Sequence, residues 1–139
     1  MIEICNGSSQ DEKAILDGLV KYNLSKVPLR QPETFVEVCR AVKDEEGNVI
    51  AGCLANIYCW NVMYIDILWV EECARGQGLG SRLLEDAERI ARENRCTLIH
   101  LDTFDFQAKD FYLKHGFHLF GVLEGCPEGH CRYYLSKKL

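Results

Sequence analysis

The stretch ILWVEECARGQGLGSRLLEDAERIA (residues 67–91) decides how this chain is read. It passes from an apolar run, through a loop holding Gly76, Gly78 and Gly80, into a segment with apolar residues at helical spacing. A strand that feeds a glycine loop and then a helix builds an anion site. The first N–H groups of a helix lack intrahelical partners, and its dipole favours negative charge there. Glycines reach φ > 0 without a Cβ clash and let a phosphate approach the backbone. Two common phosphate patterns fail against this loop. A P-loop needs GxxxxGK[ST], which does not occur. A dinucleotide fingerprint needs GxGxxG, whereas the order here is GxGxG, although Asp102 stands where a ribose-binding acid would.

Working outward, NVMYIDILWV reads as a strand, nearly all apolar after Asp66 and therefore expected to be central and covered on both faces. Leu79, Leu83, Ala87, Ile90 and Ala91 form the buried stripe of the following helix. CTLIHLDTF is a further buried strand. In QAKDFYLKHG, Ala108, Phe111, Tyr112 and His115 share one face of a short helix that Gly116 stops. FHLFGVLE and CRYYLSKKL are strands around the turn GCPEGH. Upstream, TFVEVCRAVKDEEGNVIAGCLANIY reads as two strands joined where Gly47 and Asn48 suit a tight turn. Ser9 and Glu12 offer a capping box for a first helix with Ile15, Leu16, Leu19 and Val20 on its apolar face. The pattern α, β-β-β, α, β, α, β-β predicts a helix-covered mixed sheet.

The 139 residues, 47% hydrophobic, are expected to form a single domain over residues 1–139. A net charge of −5 argues against non-specific nucleic-acid binding and for a neutral or cationic small-molecule partner. No segment approaches the ~20 apolar residues of a membrane span, and the first residues lack signal-peptide order, so no membrane partner and a cytoplasmic location are expected. The eight cysteines then read as free thiols. CPEGHC matches no standard zinc spacing, and a plain turn on Pro127 and Gly129 is the reading preferred, with no metal expected.

The string Arg75-Gly76-Gln77-Gly78-Leu79-Gly80 resembles the R/Q-x-x-G-x-G/A signature of the GCN5-related N-acetyltransferases, the GNAT family. YIDILWV resembles that family's fourth strand, LIHLDTF its fifth, and DFQAKDFYLKHGF its late motif NxxAxxFYxKxGF. The resemblance covers residues 49–139. It implies an α/β (α+β) fold with a mixed, mostly antiparallel central sheet of six to seven strands. Helices would lie on both faces, and the sheet would splay between the family's fourth and fifth strands.

The resemblance also implies acetyl-CoA as co-substrate. Its pyrophosphate would sit on the amides from Arg75 through Gly76, Gln77, Gly78, Leu79 and Gly80 to Ser81, with Arg75 and Arg82 placed to add charge. Its pantetheine arm would pair with backbone groups of Leu68, Trp69 and Val70, and the Val70 N–H would polarise the thioester carbonyl. Ala108 and Lys109 fall in the late motif beside the cofactor. Asp105 replaces the motif's usual asparagine and cannot donate when ionised. Tyr112 matches the acid that protonates the leaving thiolate; a core tyrosine is the alternative.

Asp66, placed by period two on one face with Tyr64, Leu68 and Val70, is a candidate base or ammonium contact, with a structural carboxylate as the alternative. Cys73 lies near the loop but has no evident base for covalent catalysis. His130, in the last turn, is either a substrate contact or a turn residue. The implied function is an N-acetyltransferase that moves an acetyl group to a primary amine by direct attack. The acceptor is a small-molecule or peptide amine, expected to be cationic, and a homodimer is possible as in the family. A CoA-binding module without turnover is the alternative.

Overall fold

The computed structural model describes all residues 1–139. Its elements are α1 (Ser9–Lys26), β1 (Phe35–Lys43), β2 (Val49–Tyr58), β3 (Val62–Val70), α2 (Leu79–Glu93), β4 (Leu98–Phe104), α3 (Lys109–Lys114), β5 (His118–Glu124) and β6 (Cys131–Lys138), with a 3-10 turn at Glu72–Ala74. The six strands form one sheet in the order β1-β2-β3-β4-β6-β5. The pair β3–β4 is parallel and the other four pairs are antiparallel. That single parallel pair follows from α2, a crossover helix long enough to return the chain to the same end of the sheet.

The core lies between the sheet and α2. Leu79, Leu83, Leu84, Ala87 and Ala91 are buried along α2, against Ala51, Cys53, Ala55 and Ile57 of β2 and against Met63, Ile65, Ile99 and Leu101. Leu84 joins the expected stripe, and Ile90 sits at its edge, half-buried. Emptying the Leu84 site by substitution with alanine would cost ~2–5 kcal/mol, the usual range for a closed core position. Tyr112 of α3 and Phe117 just after it complete the same cluster, so α2 and α3 share one face of the sheet.

The opposite face carries a polar and aromatic layer. Tyr58 Oη and His100 Nε2 lie 2.8 Å apart, and Tyr64 Oη donates to Asp102 Oδ2 at 2.7 Å. Burial lowers the His100 pKa from its ordinary value, which favours the neutral ring there.

Three details differ from the expectations. The capping box of α1 is Ser8 with Asp11, one residue before Ser9 and Glu12: Ser8 Oγ accepts from Asp11 N, and Ser8 N donates to Asp11 Oδ2. The apolar face of α1 is not covered; Ile15, Leu16 and Leu19 are exposed and α1 buries no residue. Helical spacing identifies which side chains share a face, and it is silent on what packs against that face. Finally, β3 is covered only in its first half. Met63 and Ile65 are buried, whereas Ile67 and Trp69 are exposed.

Candidate active site

The cause of that half-open strand is a bulge. In the β2–β3 ladder Leu54 opposes Ile67 and Ala55 opposes Ile65, so Asp66 is the extra residue. A bulge bends its strand and raises the local twist. Accordingly, pairing of β3 with β4 runs from Val62↔Leu98 to Ile65↔Leu101 and stops there. Beyond it β4 stays with β6, through Asp102↔Tyr134 to Phe104↔Arg132, while β3 stays with β2. The splay leaves a cleft of about 580 Å³ between them.

The bulge also reverses the side-chain phase. Leu68 and Val70 pack towards the core, opposite Cys53 and Ala51, on the α2 side. Tyr64, Ile67 and Trp69 belong to the other face, as does Asp66, which follows the core residue Ile65. Asp66 therefore does not share a face with Leu68 and Val70, because the inserted residue breaks period two between them. Nor is it buried as expected; it is exposed on the cleft wall.

Backbone groups at the splay can be phased in the same way. Glu71 N donates to Ile50 O at 2.8 Å, which makes 50/71 a hydrogen-bonded pair. In an antiparallel ladder such pairs alternate. Trp69 thus spends its N–H and C=O on Gly52 of β2, and its expected backbone role is unavailable. Leu68 and Val70 turn theirs towards the cleft, where β4 no longer answers them. Unpaired backbone groups of this kind are a ready template for an extended ligand.

One end of the cleft is the start of α2. Gly78 caps the helix with φ 76° and no side-chain bond, Gly76 has φ 80°, and a Cβ at either would meet nothing within 4 Å. The concave strip of amides before the helix is therefore open, and the first turn has no acidic residue to compete for it. The amides of Leu79, Gly80 and Ser81 point out of the helix start. Arg75 contributes differently from expectation. Its N–H is bonded to Glu72 O at 3.3 Å, and its Nε donates to Val70 O at 3.1 Å. It thus clamps the end of β3 to the loop, which ties the Val70 carbonyl down and leaves the Val70 N–H open. Ser81 Oγ is engaged with His115 Nε2 at 3.1 Å, so only its backbone is free for a ligand. Gln77 is exposed on the loop.

Tyr112 reaches the cleft from α3. The residue is 6% exposed, its ring edge-on to Phe111 and Phe117 with centroids 5.2 and 5.8 Å away. The only side-chain polar atoms buried without partners are Asn56 Oδ1 and Asn61 Oδ1, so the Tyr112 hydroxyl, which also bonds to nothing in the chain, opens into the cleft it lines. Burial pushes its pKa up to about 12, with nearby Cys53 and Asp102 adding to the shift. It is a protonated donor across the neutral range. Ala108, the N-cap of α3, lines the same cleft.

Asp105 and Lys109 line an adjoining hollow with Asp110 and Tyr133, which shares Gln107, Ala108 and Phe111 with the cleft. Asp105 is consumed by the last hairpin: it accepts from Cys131 N at 2.9 Å and pairs with His130 Nδ1 at 2.8 Å. Lys109 sits over the Tyr133 ring, 4.6 Å from its centroid. His130 also holds its own turn, donating from N to Pro127 O while its carbonyl accepts from Gly125 N and Cys126 N. Cys73 is an exposed free thiol.

The residues missed by the sequence reading line the other wall. Arg132 donates from Nε to Asp102 Oδ1 at 2.9 Å and from Nη2 to the same oxygen. Phe104 and Phe106 stack with centroids 5.3 Å apart, and Gln107 Oε1 accepts from Phe104 N to fix the turn after β4. A polar residue at position 102 inside an apolar strand was the available signal; its partner thirty residues on was not readable without the β4–β6 register.

Comparison with known proteins is consistent across sequence and structure. The profile of the acetyltransferase (GNAT) family matches residues 12–117. A protein named Blasticidin-S acetyltransferase from Streptomyces morookaense is 38% identical over 117 residues, covering 84% of this chain and 85% of that one. The crystal structure of an acetyltransferase from Bacillus cereus ATCC 14579 superposes with a TM-score of 0.89 at 40% identity, over 99% of this chain and 98% of the other. At the level of fold alone, the chain also resembles a Bacillus anthracis protein assigned as a streptothricin acetyltransferase and solved with acetyl coenzyme A. There the TM-score is 0.65 at 23% identity, over 74% and 62% of the two chains.

Proposed function

We propose a reaction for a chain that belongs to the GNAT acetyltransferase family: transfer of an acetyl group from acetyl-CoA to the primary amine of a small molecule, by direct attack in a ternary complex. The observation that carries this reading is the convergence of three features on one cleft. They are the unanswered backbone of Leu68 with the open N–H of Val70, the open amides at the start of α2, and the protonated Tyr112 hydroxyl. A ligand with an anionic end and an extended amide-bearing arm fits that sequence of groups.

Each residue has a physical task. The amides of Leu79, Gly80 and Ser81 hold the pyrophosphate, with Gly76 and Gly78 keeping the approach free of side chains. Leu68 and Val70 pair with the arm in the manner of an added strand. The Val70 N–H then lies where the thioester oxygen becomes an oxyanion, a donor role worth roughly 2.7–4 kcal/mol in acyl transfer. Asp66 attracts the substrate ammonium and accepts its proton. The amine forms the new C–N bond, the C–S bond breaks, and Tyr112 stabilises the departing thiolate by donation. The acceptor enters from the face opposite α2 and α3, where Asp66 stands, so the two substrates meet through the splay. A relative named for acetylating blasticidin S supports a small-molecule acceptor.

The test is release of free thiol from acetyl-CoA across a panel of amines, beside a calorimetric titration with CoA. Turnover with one class of amine is the expected result. Tight CoA binding without turnover of any amine would replace the catalytic reading with a CoA-binding module.

A further inference from the structure

On the acceptor side of the cleft the charges are arranged in a way that the reaction itself does not require. Arg132 is held rigidly: Asp102 takes its Nε and Nη2, the Phe104 ring lies 5.1 Å from its guanidinium carbon, and the Tyr134 ring 5.8 Å. Both oxygens of Asp102 are engaged in turn, since the second accepts from Tyr64 Oη. A guanidinium is a planar fork with two usable edges. Asp102 occupies the Nε/Nη2 edge, which leaves the Nη1/Nη2 edge without a bond in the chain. The Arg132 side chain is 33% exposed and lines the cleft, and no other group of the chain bonds to that edge. The other guanidinium in the cleft, Arg75, is already turned to the Val70 carbonyl. Asp66, on the same face, has no partner within the chain and is exposed.

The acceptor side therefore presents one free carboxylate and one free, pre-oriented guanidinium edge. Their joint complement is a molecule with an ammonium and a carboxylate. We infer that the acceptor is a zwitterion of this kind, an amino-acid-like amine whose carboxylate binds the outer edge of Arg132 while its amine lies at Asp66. The inference rests on the acetyltransferase reading of the cleft and refines it: a simple polyamine satisfies Asp66 but places positive charge against Arg132. Asp102 and Tyr64 are positioning residues in this scheme, since they fix the fork and do not touch the substrate.

The experiment measures kcat/KM by thiol release from acetyl-CoA. The acceptors are aminocarboxylic acids from glycine to 6-aminohexanoate, with phenylalanine and glutamate, each beside its primary amide and its decarboxylated amine. For at least one spacing the acid should exceed its amide by about 10- to 150-fold, the range for a hydrogen bond to a charged group. The difference should appear mainly in KM. Arg132→Gln and Arg132→Lys should both bring the acid-to-amide ratio close to one, because lysine keeps the charge but not the planar fork. Equal use of acid and amide throughout, turnover confined to amines without a carboxylate, or an acid preference that survives Arg132→Gln overturns the inference and leaves the acetyltransferase reading standing. Absence of turnover with any amine overturns both. The comparison of acid with amide uses the unaltered protein, so it holds even if a variant folds poorly.

Discussion

Replacing Tyr112 with phenylalanine tests the proton economy of the cleft. The hydroxyl pKa is about 12 because the ring is buried, roughly 3.5 units above an ordinary thiol near 8.5. At ~1.4 kcal/mol per unit, complete transfer of its proton to a thiolate would be uphill by about 5 kcal/mol. In the proposed reaction Tyr112 therefore acts chiefly by donating a hydrogen bond to the developing thiolate. A hydrogen bond to a charged group contributes ~1.5–3 kcal/mol, so Tyr112→Phe should lower kcat by about 10- to 150-fold. The donor stays protonated well past neutrality, and the ratio of wild-type to variant kcat should be flat from pH 6 to 10. Phenylalanine keeps the edge-on contacts with Phe111 and Phe117, so thermal stability should change little. Steady-state thiol release over that pH range is the assay. A loss under about threefold, or a ratio that collapses between pH 8 and 10, would refute the donor role and leave Tyr112 as a core residue.

Further predictions concern the anion site and the stability of the fold. Gly78→Ala places a Cβ on a residue with φ 76°, where the left-handed conformation costs ~1–2 kcal/mol, and it intrudes on the open cradle. CoA affinity should fall about tenfold by calorimetry, and an unchanged Kd would remove that loop from the site. Cys53 and Tyr112 are buried neutral, with pKa values raised by burial to about 11 from 9.0 and about 12 from 10.0. Both contributions are complete below the unfolded values and are lost as pH rises, so stability should decline from about pH 9 to pH 12 in urea titrations, and less steeply in Tyr112→Phe. Glu88 ties α2 to β6 through Lys137 Nζ at 2.9 Å, both side chains being about one-fifth exposed. Glu88→Gln removes the charge partner of that ammonium, leaving it the His115 carbonyl and a neutral amide oxygen, and should cost ~1–2 kcal/mol of unfolding free energy in urea titrations. The ion pairs lower the Glu88 pKa against an opposing burial effect, so its share of stability holds at neutral pH and fades as pH falls below the ordinary 4.5.

What was legible in the sequence is what local chemistry dictates. The α2 stripe follows from helical spacing, the αL glycines from the need for φ > 0 without a Cβ, and the end of α3 from Gly116. Position 66 shows the limit. A bulge has no local mark in the sequence, since it is defined by two residues on one strand facing one on its neighbour, and it alone decides which face Asp66 joins and where the sheet opens. Trp69 and Val70 look equivalent in ILWV, yet the phase of the ladder spends one backbone on β2 and frees the other. The pairing of Asp102 with Arg132 depends on the β4–β6 register across thirty residues. Asp105 and His130 were each noticed separately, and only the folded hairpin brings them within 2.8 Å.

The central claim is that this cleft receives the pantetheine arm on the freed backbone of β3. Amide hydrogen exchange followed by NMR, with and without CoA, tests it residue by residue. The account predicts that the N–H groups of Leu68 and Val70, together with those of Gly80 and Ser81, exchange readily in the free protein and become strongly protected when CoA binds, while Trp69, already bonded to β2, changes little. Saturating CoA that leaves Leu68 and Val70 unprotected, or protects a different edge of the sheet, would contradict it.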